Sequence, residues 1–79
     1  MQLNFESLRT HIAKTLDINP NELEPFTTLN GNEKWDSFAM LSAVALVTEY
    51  TGKQITLQDI VKLKTVSDLV DLVQKLKGN

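Results

Sequence analysis

The sequence predicts an all-α protein: a four-helix bundle with a long connection between helices 1 and 2 and a short third helix. Three observations predict it. Apolar residues recur at spacings of three and four, the period of one helix face. Each helical segment opens with Asn, Asp or Thr, residues that cap helix N-termini. No segment alternates apolar and polar residues as a half-buried strand does.

The first helix begins after Asn4, where Phe5, Leu8, Ile12 and Leu16 form one apolar stripe. Asn4 suits the N-cap, and Leu3 can pack on Leu8 as a hydrophobic staple. Asp17 to Lys34 is the long connection. It holds Pro20, Pro25, Gly31 and four asparagines, which break a continuous helix. Leu23, Phe26 and Leu29 are expected to pin it to the core.

The second helix is expected from Ser37 to Tyr50, with Asp36 as N-cap, a Trp35–Met40 staple and Gly52 as the stop. A short third helix follows Ile55-Thr56-Leu57-Gln58-Asp59-Ile60. Thr56 and Asp59 have the spacing of a capping box, flanked by a staple of Ile55 and Ile60. Thr65 and Asp68 repeat that spacing at the start of the fourth helix. There Val66, Leu69, Val70, Val73 and Leu76 form the buried stripe, and Lys75 and Lys77 complement the C-terminal dipole.

With 79 residues the chain is expected to form one small domain, 1–79, with a modest core. It has no cysteine, so neither disulfides nor thiolate metal sites contribute. The net charge of −2 and the scattered basic residues weigh against nucleic acid as a partner. No apolar run approaches a membrane span and no signal peptide is read, so a cytoplasmic monomer is expected.

The second helix is apolar on more than one face. Met40, Ala43, Val44 and Val47 line one face, and Phe38, Leu41, Ala45 and Thr48 line another. A helix apolar nearly all round is either fully buried or serves an interface. Full burial is hard to arrange in so short a chain. Phe38, Leu41 and Ala45 are therefore expected to be at least partly exposed and to contact partner proteins. The alternative is a central helix wrapped by the other three.

Ser37 stands where the loop becomes this helix. Asp-Ser before an apolar run is an ordinary helix start. Catalysis by Ser37 has little support, because a serine nucleophile needs a base and His11, a boundary residue on the first helix, is the only histidine. No His/carboxylate cluster suggests a metal site. The position does suit an anionic attachment. The first backbone N–H groups of a helix are unpaired and carry partial positive charge, so a phosphate ester on the first-turn hydroxyl lies near donors.

The string Asp36-Ser37-Phe38, followed by Leu41, Val44 and Val47, resembles the acyl carrier proteins, whose second helix opens with Asp-Ser-Leu. The likeness covers the whole chain: the first helix, the Pro-containing loop, the short third helix, Leu63-Lys64-Thr65-Val66 before the fourth, and Ile55 at the family's spacing from the serine. It implies that Ser37 is esterified with 4′-phosphopantetheine, taken from coenzyme A by a phosphopantetheinyl transferase. The terminal thiol of that arm then holds cargo as a thioester, which accounts for a chain with no cysteine and no catalytic cluster of its own. By the same likeness, Asp36 helps bind the divalent metal during transfer.

Three departures stand out. Phe38 replaces the usual Leu. Lys34-Trp35 stand before the Asp-Ser pair where many members have a glycine. The second helix lacks the acidic residues of fatty-acid carriers and offers only Glu49. Recognition is then expected to rely on apolar contact more than on charge steering. The expected function is a non-catalytic acyl carrier in a specialised lipid, polyketide or related pathway rather than bulk fatty acid synthesis. Its further partners would be acyl or aminoacyl ligases, synthases or acyltransferases. An aminoacyl or peptidyl carrier is the close variant, and an unmodified helical interaction module the rival of another class.

Overall fold

The computed structural model describes residues 3–78. It contains four α-helices: α1 (Phe5–Leu16), α2 (Ser37–Thr51), α3 (Leu57–Val61) and α4 (Val66–Lys77). Among the described residues there is no strand, only an isolated antiparallel bridge between Thr28 and Thr65. The predicted all-α fold with its short third helix is the one observed.

Local hydrogen bonds define where the helices start. Asn4 Oδ1 accepts the Ser7 N–H at 2.9 Å, and Ser7 Oγ accepts the Asn4 N–H at 3.0 Å, closing a capping box. Thr56 with Asp59, and Thr65 with Asp68, close the two boxes expected from their spacing. Asp68 Oδ2 also accepts the Lys64 N–H at 3.0 Å, so one carboxylate caps two orphan donors. α1 ends at Asp17, which adopts the left-handed conformation (φ 55°) and donates its N–H to the carbonyls of Ala13 and Lys14. Aspartate tolerates this conformation better than most non-glycine residues. Gly52 ends α2 in the same conformation, as expected, and the helix runs to Thr51, one residue beyond Tyr50.

α2 packs against α1, α3 and α4. Its Ala43 and Val47 are fully buried against Leu8, Ile12 and Leu16 of α1, Ile60 of α3, and Val66, Leu69 and Val73 of α4, within one core. Small Ala39 and Ala43 let neighbouring helices approach closely. Burying a Leu or Val side chain in such a core stabilises the fold by about 1.5–3 kcal/mol. Gln74 on α4 donates through Nε2 to the Leu3 carbonyl at 2.8 Å, tying the start of the described chain to its last helix.

The long connection contains a single 3₁₀ turn, Pro20–Glu22, capped by Asn19. Leu23 and Leu29 are fully buried, as expected. Phe26 corrects the expectation, since it is 74% exposed. Thr27 N–H donates to the Glu24 carbonyl at 3.0 Å, which closes a tight turn with Pro25 and Phe26 at its corner. The segment is then held against the start of α4: Ser67 N–H donates to Pro25, Val66 N–H to Thr27, and Leu29 N–H to Lys64. Corner positions project away from the body of the fold, so Phe26 faces solvent while Leu29 is buried. Among the described residues no helix is long and apolar enough to cross a membrane.

Candidate functional site

Ser37 is the first residue of α2, and the chain leading to it is held at several points. Asn32 N–H donates to the Leu29 carbonyl at 2.9 Å, closing a turn whose third residue, Gly31, has φ 88°. A positive φ at that position favours glycine. Asn32 then organises the rest of the approach. Its Oδ1 accepts the Lys34 N–H, its carbonyl accepts the Trp35 N–H, and its Nδ2 donates to the Thr28 carbonyl, all within 2.9 Å. Trp35 closes the segment by burying its ring in the core, with 6% of its surface exposed. Its Nε1–H is buried without an acceptor among the described residues.

Asp36 is the N-cap. Its Oδ1 accepts the Ala39 N–H at 2.8 Å and its carbonyl accepts the Met40 N–H at 2.9 Å. The other carboxylate oxygen has no partner among the described residues. Ser37 is exposed, and its hydroxyl has no partner among the described residues. The N–H groups of Ser37 and Phe38 have no carbonyl four residues back within the helix, so they carry the partial positive charge of the helix start.

Phe38, the next residue, is 78% exposed and Leu41 is 59% exposed; Ala45 is exposed too. So α2 touches all three other helices and still leaves this strip uncovered. On α3, Leu57 and Val61 are also exposed, which sequence reasoning missed. In so short a helix, spacing alone does not say which apolar residues face inward. The only charged residue within α2 is Glu49, near its far end.

His11 is exposed on α1 and meets Tyr50 edge-on, with ring centroids 5.4 Å apart. Tyr50 lies thirteen residues along α2 from Ser37, about 20 Å of helical rise. The histidine therefore belongs to the opposite end of the helix from the serine, far beyond hydrogen-bond reach of its hydroxyl. Among the described residues no three His, Cys, Asp or Glu side chains gather as a metal site.

A family model described as the phosphopantetheine attachment site matches residues 6–73. The chain belongs to this family of carriers. No solved structure matches it. Carriers of this family bind 4′-phosphopantetheine covalently. The matched span includes Asp36, Ser37 and Phe38, and reaches from the first turn of α1 to Val73 in α4. The helix start fits such a group. It offers an exposed hydroxyl, two N–H groups without intrahelical acceptors, and a backbone held on both sides.

Proposed function

We propose that Ser37 carries the 4′-phosphopantetheine arm and that the chain, as one carrier domain, works as an acyl carrier protein in a specialised lipid, polyketide or related pathway. The observation that carries this reading is the display of Ser37, whose free hydroxyl opens α2 beyond a loop fixed by Asn32 and Trp35. Bound there, the arm supplies a terminal thiol that holds an acyl group as a thioester. The chain's own residues do the rest. The N–H groups of Ser37 and Phe38 are available to the phosphate ester. Asp36 caps the helix through Oδ1, which leaves its second oxygen to help bind a divalent metal while a phosphopantetheinyl transferase is docked.

Phe38, Leu41 and Ala45 are the proposed partner contacts, because they form an apolar strip beside the attachment point. The scarcity of charge on α2 supports ligases, synthases or acyltransferases that recognise it by apolar contact rather than by charge steering. The same scarcity supports a specialised pathway and leaves the aminoacyl carrier as the variant with different cargo. The cytoplasm, where coenzyme A is available, is the proposed compartment.

Incubation with coenzyme A, Mg²⁺ and a broad-specificity phosphopantetheinyl transferase tests this reading. Intact mass is expected to rise by one phosphopantetheine, and Ser37→Ala to abolish the rise. A chain left unmodified by several transferases would overturn it in favour of an unmodified interaction module.

A further inference from the structure

The basic residues of this chain are unevenly placed. Three of the eight, Lys53, Lys62 and Lys64, fall within residues 52–64, the segment that contains α3. All three are exposed, and none forms an ion pair with a described residue. Two carboxylates lie close by, and both are turned onto helix starts. Asp59 Oδ2 accepts from Thr56, and Asp68 Oδ2 accepts the Lys64 and Thr65 N–H groups at 3.0 and 3.1 Å. An aspartate bent onto a cap holds its charge near the backbone, whereas a lysine carries its ammonium outward on a long flexible stem. The outermost charges of this segment are therefore positive.

The same segment exposes apolar side chains. Leu57 and Val61 are 39% and 48% exposed and stand four residues apart, on one face of α3. α3 packs on α2, the helix that Ser37 opens. At its exit the Lys64 carbonyl accepts the Leu29 N–H at 2.7 Å and the Asn30 N–H at 3.4 Å, which joins it to the connection leading to Ser37. That connection has the opposite sign, with five carboxylates and one lysine in residues 17–36. An apolar pair rimmed by lysines thus borders the acidic segment that precedes Ser37.

Charge complementarity selects the occupant. An anionic membrane drawn to the lysines would be repelled by the carboxylates next to them, whereas a folded protein surface can match both signs at once. We propose that α3 is a docking face for a protein partner with an apolar centre for Leu57 and Val61 and aspartate or glutamate side chains opposite Lys53, Lys62 and Lys64. Apolar contact supplies the adhesion, and the lysines at its rim set which way round the partner sits. A partner with a basic contact surface is turned away here, because like charges facing each other disfavour the complex. That the partner is an enzyme acting at Ser37 rests on the attachment reading; the surface itself does not.

Heteronuclear NMR titration of the unmodified chain with two synthetic amphipathic helical peptides tests the proposal. Both peptides carry a leucine face, and the opposite face is glutamate in one and lysine in the other. At about 0.1 M salt, where charges act over about 10 Å, the glutamate peptide should shift the amides of Leu57, Val61, Lys62 and Lys64. At about 1 M salt, where that range falls to about 3 Å, most of the affinity should be lost. Lys53→Glu combined with Lys64→Glu should weaken the glutamate peptide about tenfold, since one exposed ion pair is worth up to about fivefold. Lys53→Arg with Lys64→Arg should bind as the wild type does, and circular dichroism confirms that both variants keep their helicity. Equal binding of the two peptides to α3, shifts confined to other residues, or no binding at all would overturn the proposal. So would lysine-dependent binding to phosphatidylglycerol vesicles in place of the glutamate peptide. The titration reads the surface whether or not Ser37 is loaded, so failure of loading by the transferase would overturn the attachment reading alone.

Discussion

The Asp36 carboxylate accepts the Ala39 N–H at 2.8 Å, and Ser37 stands between them with its hydroxyl free. One residue thus fixes the helix start, and the next is left exposed. Substituting the cap tests the two proposed uses of Asp36 separately. Asp36→Ala should destabilise the fold by about 0.5–2 kcal/mol, the usual loss for an N-cap. Asp36→Asn keeps an acceptor for Ala39 and should stay within about 0.5 kcal/mol of the wild type. It loses the carboxylate charge, so transferase loading should slow at limiting Mg²⁺ although the protein remains folded. Urea unfolding and timed intact mass give the two readouts. Equal loading by Asp36→Asn and wild type would remove the metal role and leave only the cap.

Trp35 combines a buried ring with an indole N–H that has no acceptor among the described residues. Deleting the ring and deleting the donor should have very different consequences. Trp35→Ala opens a cavity and should cost about 3–5 kcal/mol. A chain of this size has a total stability of about 4–12 kcal/mol, so much of it would be lost. Trp35→Phe removes the unpaired donor along with part of the ring. An unsatisfied buried donor costs about 1–3 kcal/mol, which offsets the lost volume. The expected change is under about 1.5 kcal/mol. A Phe variant as unstable as the Ala variant would mean that the N–H is satisfied in solution.

Helix starts were readable from sequence because capping is local. Thr56 and Asp59, or Thr65 and Asp68, meet across three residues whatever the rest of the chain does. The exposed hydroxyl of Ser37 was readable for the same reason. The Asn4–Ser7 box was half readable: Asn4 has the cap signature, but Ser7 is not the Glu or Gln that usually completes it. What escaped depends on distant pairing. The hydrogen bonds from residues 64–67 to the segment 25–29 decide that Leu29 is buried and Phe26 is not, and no local pattern encodes them.

Asp59 supplies a pH dependence of known sign. Its Oδ2 accepts the Thr56 N–H at 3.0 Å and the Thr56 hydroxyl at 3.2 Å. The backbone bond first, then the hydroxyl, with a lesser contribution from Lys62, hold its carboxyl below the ordinary 3.8. A group lowered on folding contributes stability that is present above its unfolded value and lost as pH falls through its folded value. The wild type should therefore exceed Asp59→Asn in stability by a constant margin above about pH 5, and the margin should shrink as pH falls below 3.8. Unfolding midpoints of both proteins from pH 7 to pH 2.5 measure this. A margin that widens in acid would contradict the assigned hydrogen bonds.

Leu41 separates a docking role from a packing role. It is 59% exposed on α2, whereas Ile60 of α3 is completely buried. Surface substitutions away from caps and cores usually change stability by less than about 0.5 kcal/mol, and Ile→Ala in a core costs about 2–5 kcal/mol. Leu41→Glu should therefore leave helicity and melting temperature nearly unchanged, while Ile60→Ala should lower the melting temperature markedly. A partner that meets the apolar strip must desolvate the new carboxylate, so Leu41→Glu should weaken loading by the transferase or processing by a downstream ligase. Such a loss can reach tenfold or more where the residue sits at the centre of an interface, since 1.4 kcal/mol corresponds to a factor of ten. Comparing loading rates of Leu41→Glu and wild type at several transferase concentrations separates a weaker complex from a slower transfer. The weaker complex appears as a raised KM with kcat unchanged. An unaltered KM would place the transferase contact elsewhere, with Phe38 next to be tested by the same substitution.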